Sequence, residues 1–202
     1  MSDAAEPGGR GAGLLFRVKK HHASNLHYDL RLEFDGVLLS FVLPLGPSRD
    51  PMQKRLALRV ADHALPYANF EGVIPPGRYG AGTVMLWDRG TWEPEGDAQA
   101  GLDAGLLCFS LPGERMRGTW TLARIRCKGG ERERWLLSKR DDAEAGPDDL
   151  TKTYDTSVAT GRSMAEIAAQ TVRTRAAAKR RREPTKSFAD GGMDDLFGDD
   201  ES

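Results

Sequence analysis

The segment LHYDLRLEFDGVLLSFVL, residues 26–43, decides the fold class of this chain. Apolar and polar side chains alternate strictly along Leu26–Phe34, which is the period-two pattern of a β-strand. Asp35-Gly36 follows, a dipeptide favoured in the two-residue type I′ turn, and residues 37–43 form a second strand candidate. The segment therefore predicts an antiparallel β-hairpin.

Further short strand candidates follow the hairpin. One alternates through Leu56, Leu58 and Val60, and the others cover residues 83–87, 106–111, 118–125 and 135–138. Short strands separated by turn residues are typical of an antiparallel sheet that curls into a barrel or sandwich. The chain is therefore predicted to be mainly β, a small antiparallel β-barrel with short helical additions and a helical or disordered C-terminal tail.

The distribution of residue types divides the chain of 202 residues into three parts. We predict a disordered leader over residues 1–13, a β-barrel domain over residues 14–142 and a tail over residues 143–202. Helix-forming residues are concentrated only in this tail and predict a helix over about residues 163–180, where Ser163 and Glu166 have capping-box spacing.

Charge is spread unevenly along the chain, although 29 Lys and Arg against 30 Asp and Glu give a net charge of only −1. The tail contains a basic block at residues 173–182 and an acidic end at residues 190–202, which we predict to be disordered. The basic block suits a phosphate backbone, and a solvated helix face is the alternative. Leu196 and Phe197 in the acidic end suit docking to an apolar pocket with a basic rim on a partner protein.

Several protein classes are disfavoured by the sequence. No apolar run reaches the roughly 18 to 20 residues of a membrane span, and residues 1–13 have no apolar core of a secretory signal. Cys108 and Cys127 lie outside any CxxC pattern and are predicted to be reduced thiols. We expect a cytoplasmic monomer with no membrane partner.

His21, His27 and Asp29 are the candidate metal ligands. His27 and Asp29 are two residues apart on the predicted strand, so both project from one face, and Arg31 is the next residue on that face. Mixed imidazole and carboxylate ligands suit Mn²⁺ or Zn²⁺, and His21 completes the set if the chain before Leu26 folds back. Arg31 offers a planar fork for a phosphate. A solvated polar strand face is the alternative.

A second candidate pair is His63 with Tyr67 four residues later. His63 ends a predicted strand on the face that carries Arg55 and Arg59, and such a pair suits binding or protonating a phosphate oxygen. A structural histidine is the alternative. Residues 75–82, PPGRYGAG, lack the Lys-Ser/Thr of a Walker motif and precede a strand, so they predict a tight turn.

Longer blocks of sequence resemble the 3′-phosphoesterase domain of bacterial DNA ligase D over about residues 15–140. They are KHHASNLHYDLRLEFDGVL at 20–38, LPLGPSRDPMQKRLAL at 43–58, DHALPYANFEGVIPPGRYGAGTVMLWDRGTWEP at 62–94, RGTWTLARI at 117–125 and WLLSKR at 135–140. The resemblance implies a small Mn²⁺-binding β-barrel, with other divalent transition metals as alternatives. It also implies a hydrolase that removes a 3′-ribonucleoside and then a 3′-phosphate from DNA or RNA-tipped DNA ends in non-homologous end joining. Since no ligase or polymerase motif is present, we expect a stand-alone member.

The resemblance also assigns roles by position. It places His21, His27 and Asp29 at the metal ligands, and Arg31, His63 and Tyr67 at the phosphate-contacting and catalytic positions. Arg55 falls at a basic residue implicated in the phosphomonoesterase step.

Five positions depart from the family pattern. Lys19 stands where Gln is usual, His22 where Asp is usual, Asn25 where Arg is usual, Leu45 where Lys is usual and Ala61 where Glu is usual. Loss of an ammonium group weakens binding of a dianionic monoester more than that of a monoanionic diester. We therefore expect the diesterase step to survive better than the monoesterase step. The alternative function is a catalytically weakened module of the same fold that binds DNA ends and recruits partners.

Overall fold

The computed structural model describes residues 13–126 and 132–169, and this part of the chain is mainly β. Two short helices, a helical segment at residues 164–169 and a 3₁₀ turn at Leu65–Tyr67 accompany the strands. In chain order the elements are β1 (Leu15–His22), β2 (Leu26–Phe34), β3 (Val37–Leu43), β4 (Arg55–Ala64), β5 (Gly72–Ile74), β6 (Gly82–Thr91), β7 (Glu93–Pro94), α1 (Ala98–Ala104), β8 (Leu106–Pro112), β9 (Arg117–Ile125), β10 (Arg134–Lys139) and α2 (Leu150–Thr153).

All ten of these strands belong to one antiparallel sheet with the order β5-β6-β1-β2-β3-β4-β10-β9-β8-β7. The predicted hairpin is confirmed, because β2 pairs with β3 in a register that sets Phe34 opposite Val37. Asp35 and Gly36 have φ values of 47° and 76°, which are the positive angles that a type I′ turn requires.

The sheet curls strongly around one apolar core, whose fully buried side chains include Phe16, Leu30, Phe41, Trp87 and Trp120. Burying side chains of this size supplies the main stabilisation, at roughly 1.5–3 kcal/mol for each apolar side chain. The prediction of a mainly β, curled antiparallel sheet is therefore confirmed.

A buried carboxylate joins distant parts of the curled sheet. Asp88 on β6 accepts hydrogen bonds from the backbone N–H groups of Glu114, Arg115 and Met116 in the turn between β8 and β9, at 2.7–3.2 Å. Burial raises the pKa of Asp88 to about 6, although these N–H groups oppose the rise. Because β6 lies near one end of the strand order and β8 near the other, Asp88 holds the sheet in its curled form.

Residues 143–169, predicted from the sequence to belong to the tail, contribute Leu150 and Ile167 to the same core. The indole N–H of Trp87 donates to the carbonyl oxygen of Tyr154 at 2.8 Å. The capping-box prediction is confirmed where the last helix begins, since the backbone N–H of Ser163 donates to the Glu166 carboxylate at 2.8 Å. Residues 164–169 are helical.

One expectation about helices is wrong. Helix was expected only in the tail, yet α1 forms between β7 and β8, because Asp97 caps its first turn and Gly105 ends it in the left-handed conformation. The leader before residue 13, Cys127 and residues 170–202, including the basic block and the acidic end, lie outside the described residues. No helix within the described ranges is both long and apolar enough to cross a membrane.

Candidate metal and phosphate site

One side of the curled sheet encloses a cavity of about 460 Å³. Its walls are apolar, whereas its floor carries the charged and imidazole side chains of β1, β2 and β4. The apolar lining residues include Leu38, Val42, Val60, Phe70, Ile74 and Val84, and the polar ones include Lys19, His21, His27, Asp29, Arg31 and His63.

Antiparallel pairing of β1 with β2 assembles the floor. His21 lies directly opposite His27 in the register, and Lys19 lies opposite Asp29, so all four side chains share one face of the sheet. The condition set for His21, that the chain before Leu26 folds back, is therefore met by the turn between β1 and β2.

His21, His27 and Asp29 place their ligand atoms within 4.8 Å of one another. The His21 Nδ1 atom lies 3.6 Å from an Asp29 carboxylate oxygen, and the two imidazole rings have centroids 4.7 Å apart. Two imidazoles and a carboxylate are a ligand set that divalent transition metals accept. These three residues can therefore hold a metal ion.

Two further observations support the fit of a metal. The Nδ1–H of His27 donates to the carbonyl oxygen of Asn25 at 3.0 Å, so its Nε2 atom keeps a free lone pair. The Nε2 atom of His21 is buried and has no hydrogen-bond partner among the residues described. A buried polar atom without a partner is costly, and a cation in the cavity would satisfy it.

Asp29 is ionised at neutral pH in spite of its burial. Burial opposes its ionisation, but the hydrogen bond from His21 and the charge of Arg31 outweigh this effect and hold the pKa of Asp29 below its ordinary value. An Arg31 guanidinium nitrogen lies 3.3 Å from the other Asp29 oxygen. Asp29 is therefore placed to contact a metal ion through one oxygen and to orient Arg31 through the other.

His63 reaches the cavity because β4 contains a bulge. Val60 pairs with Ser40 but His63 pairs with Leu38, so β4 holds one extra residue between these pairs. The predicted face of His63 is therefore wrong: the bulge moves it from the face of Arg59 to the face of Val60, which also lines the cavity.

His63 is held by its Nδ1 atom. This atom lies 3.1 Å from an Arg31 nitrogen, 3.2 Å from the Ser40 hydroxyl oxygen and 2.9 Å from the Ala61 carbonyl oxygen. Its Nε2 atom is consequently the ring atom available to a ligand in the cavity. Burial, followed by the charge of Arg31, lowers the pKa of His63, so the ring is neutral near pH 7.

Tyr67 stands at the mouth of the cavity, whereas Arg55 does not reach it. Tyr67 is 54% exposed, and its ring centroid lies 6.2 Å from that of His63. Arg55 pairs with Leu137 on β10 and shares a face of β4 with the core residue Ala57. The structure thus brings together six of the seven predicted site residues.

Lys19 was noted in the sequence only as a departure from the family pattern, yet it is part of the floor. It is only 6% exposed, and its ammonium group donates to the carbonyl oxygen of Tyr67. Burial and the charge of Arg31 lower the pKa of Lys19 to about 8. Its position two residues before His21 was the available signal, since such residues share a face once β1 is recognised as a strand.

The loop at residues 75–82 closes the cavity beside His21. Tyr79 and Gly80 line the cavity, and φ values of 82° at Gly77 and 71° at Gly80 confirm the predicted glycine turn. The loop thus acts as a wall.

A small curled β domain with a His₂Asp cluster beside a buried arginine defines the class of this protein: a β domain with a candidate metal site. The chain belongs to the family described as the DNA Ligase D 3′-phosphoesterase domain, whose model matches residues 19–124.

Three similar proteins carry the name LigD. The chain is 51% identical over 146 residues to the multifunctional non-homologous end joining protein LigD of Pseudomonas aeruginosa, covering 69% of this chain and 17% of that protein. It is 39% identical over 142 residues to the protein of that name from Mycolicibacterium smegmatis, covering 67% of this chain and 18% of that protein. With the non-homologous end joining DNA repair protein LigD of Mycobacterium tuberculosis it shares 42% identity over 129 residues, covering 64% and 16% respectively. The chain thus spans about a sixth of the length of these relatives.

Proposed function

We propose that this protein is a Mn²⁺-dependent 3′-phosphoesterase that heals DNA 3′ ends in end-joining repair by removing a 3′-ribonucleoside, a 3′-phosphate or both. The observation that carries the proposal is one cavity in which His21, His27 and Asp29 adjoin Arg31 and His63. Family membership supports the reaction class.

His21, His27 and Asp29 are the residues that would hold the cation. When bound, a divalent metal supplies Lewis acidity and charge neutralisation to a phosphate group. Mn²⁺ is the proposed ion because mixed imidazole and carboxylate ligands suit it, and other divalent transition metals remain alternatives.

The side chains around the metal position would bind and orient the phosphate. Arg31 is fixed by Asp29 and His63, so its guanidinium is preorganised for two phosphate oxygens and loses little freedom when a substrate binds. We assign His63 Nε2 as a contact to a further phosphate oxygen. Protonation of the leaving oxygen by His63 would require a proton that its lowered pKa makes scarce at pH 7. Tyr67 would contribute its hydroxyl group at the cavity mouth.

We place this reaction at DNA or RNA-tipped DNA ends in the cytoplasm, with a separate ligase or end-joining factor as partner. The names of the similar proteins support the process. The alternative, a weakened end-binding module, was based on Leu45 and Ala61. Leu45 is 71% exposed and outside the cavity, so its substitution leaves the cavity lining intact and favours the enzyme.

The test is cleavage of two primers, one ending in a ribonucleotide and one in a 3′-phosphate, with Mn²⁺, Mg²⁺ or Zn²⁺. The wild-type protein should release product with Mn²⁺, whereas His27→Ala and Asp29→Asn should abolish release while circular dichroism shows a folded protein. His22→Ala is the matched control, because His22 is the exposed neighbour of His21 on β1 and should retain activity. A wild-type protein that binds the primers but cleaves neither with any metal would establish the end-binding module instead.

A further inference from the structure

We propose that Lys19 is a phosphate-binding residue that supplies a second cation to the cavity and favours substrates ending in a phosphomonoester. The inference rests on the proposed function and adds a specificity-determining residue to the same site.

The position of the ammonium group is the first argument. Lys19 is nearly fully buried on the floor of the cavity, opposite Asp29 in the register of β1 and β2. Its Nζ atom lies 5.9 Å from the ring centroid of Tyr67 and 5.6 Å from that of Phe70. These rings and the backbone of Tyr67 hold the ammonium group in place.

The lack of a carboxylate partner is the second argument. Within residues 13–126 and 132–169, the one hydrogen-bond acceptor of Lys19 is the Tyr67 carbonyl oxygen, and Lys19 forms no ion pair. An ammonium group has three donors, so two of them remain for a ligand. Burying a cation with so few partners is costly, and an anion in the cavity would offset that cost.

Charge balance then indicates the kind of ligand. The charges of Asp29 and Arg31 offset each other across 3.3 Å, so Lys19 leaves the floor with an excess positive charge before any metal binds. A terminal phosphate carries about 1.5 to 2 negative charges near pH 7, whereas a diester carries one. Because Coulomb attraction scales with charge, Lys19 favours the monoester over the diester.

Leu45 led to the expectation of a weakened monoesterase step, and the position of Lys19 changes that expectation. The Leu45 side chain is exposed and does not line the cavity, whereas Lys19 places an ammonium group on the floor itself. We therefore expect the monoesterase step to be retained through Lys19.

The experiment compares wild type with Lys19→Gln, Lys19→Arg and Lys20→Gln at one pH and one Mn²⁺ concentration. Lys20 is the matched control, because it is the next residue of β1, points away from the cavity and lies over the Tyr28 ring. Lys19→Gln should lower kcat/KM on the 3′-phosphate primer by roughly tenfold or more, mostly through KM, and affect the ribonucleotide primer much less. Lys19→Arg should restore the preference, and Lys20→Gln should match wild type.

A metal-free binding measurement separates this inference from the proposed function. Fluorescence anisotropy should show that wild type prefers a 3′-phosphate oligonucleotide over a 3′-hydroxyl one and that Lys19→Gln loses this preference. Equal preference in wild type and Lys19→Gln would overturn the role of Lys19, as would an equal loss on both primers. Absence of cleavage in wild type with the binding preference intact would instead refute the proposed function alone.

Discussion

Stability of the curled sheet should depend on the protonation of Asp88. Its side chain is fully buried and accepts hydrogen bonds from backbone N–H groups of Arg89 and of the turn between β8 and β9. Burial raises the pKa of Asp88 from 3.8 to about 6. Replacement by Asn preserves the shape of the side chain but removes the titration, so Asp88→Asn is the informative variant.

The sign and the size of the effect follow from this pKa. Between pH 4 and pH 6 the folded protein binds more protons at Asp88 than the unfolded chain does, so the free energy of unfolding falls as the pH rises. A rise from 3.8 to about 6 corresponds to roughly 3 kcal/mol at about 1.4 kcal/mol per pKa unit. The stabilisation by protonated Asp88 is fully present below the pKa that Asp88 has in the unfolded chain, and it is lost above the pKa that Asp88 has in the folded protein.

Thermal and urea unfolding of wild type and Asp88→Asn from pH 3.5 to pH 7.5 would measure this effect. Across this pH range, the difference in free energy of unfolding between wild type and Asp88→Asn should change by roughly 3 kcal/mol, or about 6–12 °C in Tm for a chain of this size. Most of that change should fall between pH 4 and pH 6. The exposed Asp141→Asn should show no such pH dependence relative to wild type. Parallel curves for wild type and Asp88→Asn would refute the reasoning.

Three substitutions test other contacts by denaturation. Gly82→Ala should lower the free energy of unfolding by about 1–3 kcal/mol and weaken Mn²⁺ binding. Gly82 has a φ of +145°, and a Cβ there would meet the carbonyl oxygen of His22. Unchanged stability and Mn²⁺ affinity would contradict this expectation. Leu150→Ala should lower the free energy of unfolding by about 2–5 kcal/mol, because Leu150 of α2 packs in the core. A loss below about 0.5 kcal/mol would contradict this packing. Asp142→Asn should lower the free energy of unfolding by about 3 kcal/mol, because it removes the carboxylate paired with the fully buried ammonium group of Lys139. Unchanged stability would show that this ion pair is dispensable.

The hairpin could be predicted from the sequence because its determinants are local. Alternation from Leu26 to Phe34 and the Asp35-Gly36 turn together specify strand, turn and register. The ligand pair His27 and Asp29 could be predicted for the same reason.

β1 was not predicted as a strand, because the polar side chains of both its faces hide the alternation. Arg17, Lys19 and His21 occupy one face of β1, yet all three side chains are largely buried in the folded protein. Burial of that face depends on residues far along the chain, such as Tyr67 and Phe70, so period-two reasoning on the segment alone does not detect it.

The bulge in β4 shows a second limit of strict alternation. A single extra residue reverses the face of every residue beyond it, and the bulge is defined by pairing with β3 rather than by the sequence of β4. His63 consequently reaches the cavity, while Arg55, before the bulge, keeps the opposite face. The role that the resemblance implies for Arg55 in the phosphomonoesterase step stays a prediction.

Residues beyond 142 support the wall of the candidate site as well as the core. The Glu71 carboxylate follows Phe70 in the cavity wall and accepts hydrogen bonds from Arg162 and from the Thr160 hydroxyl, each at 2.7 Å. It also accepts the backbone N–H of Leu86 on β6 at 3.0 Å, so this one carboxylate ties the wall to both the sheet and the later segment. Composition alone separates residues 143–202 because they are polar and charged, but a buried carboxylate needs polar partners. Thr160 and Arg162 supply such partners, so the structural unit that holds the candidate site extends at least to this segment.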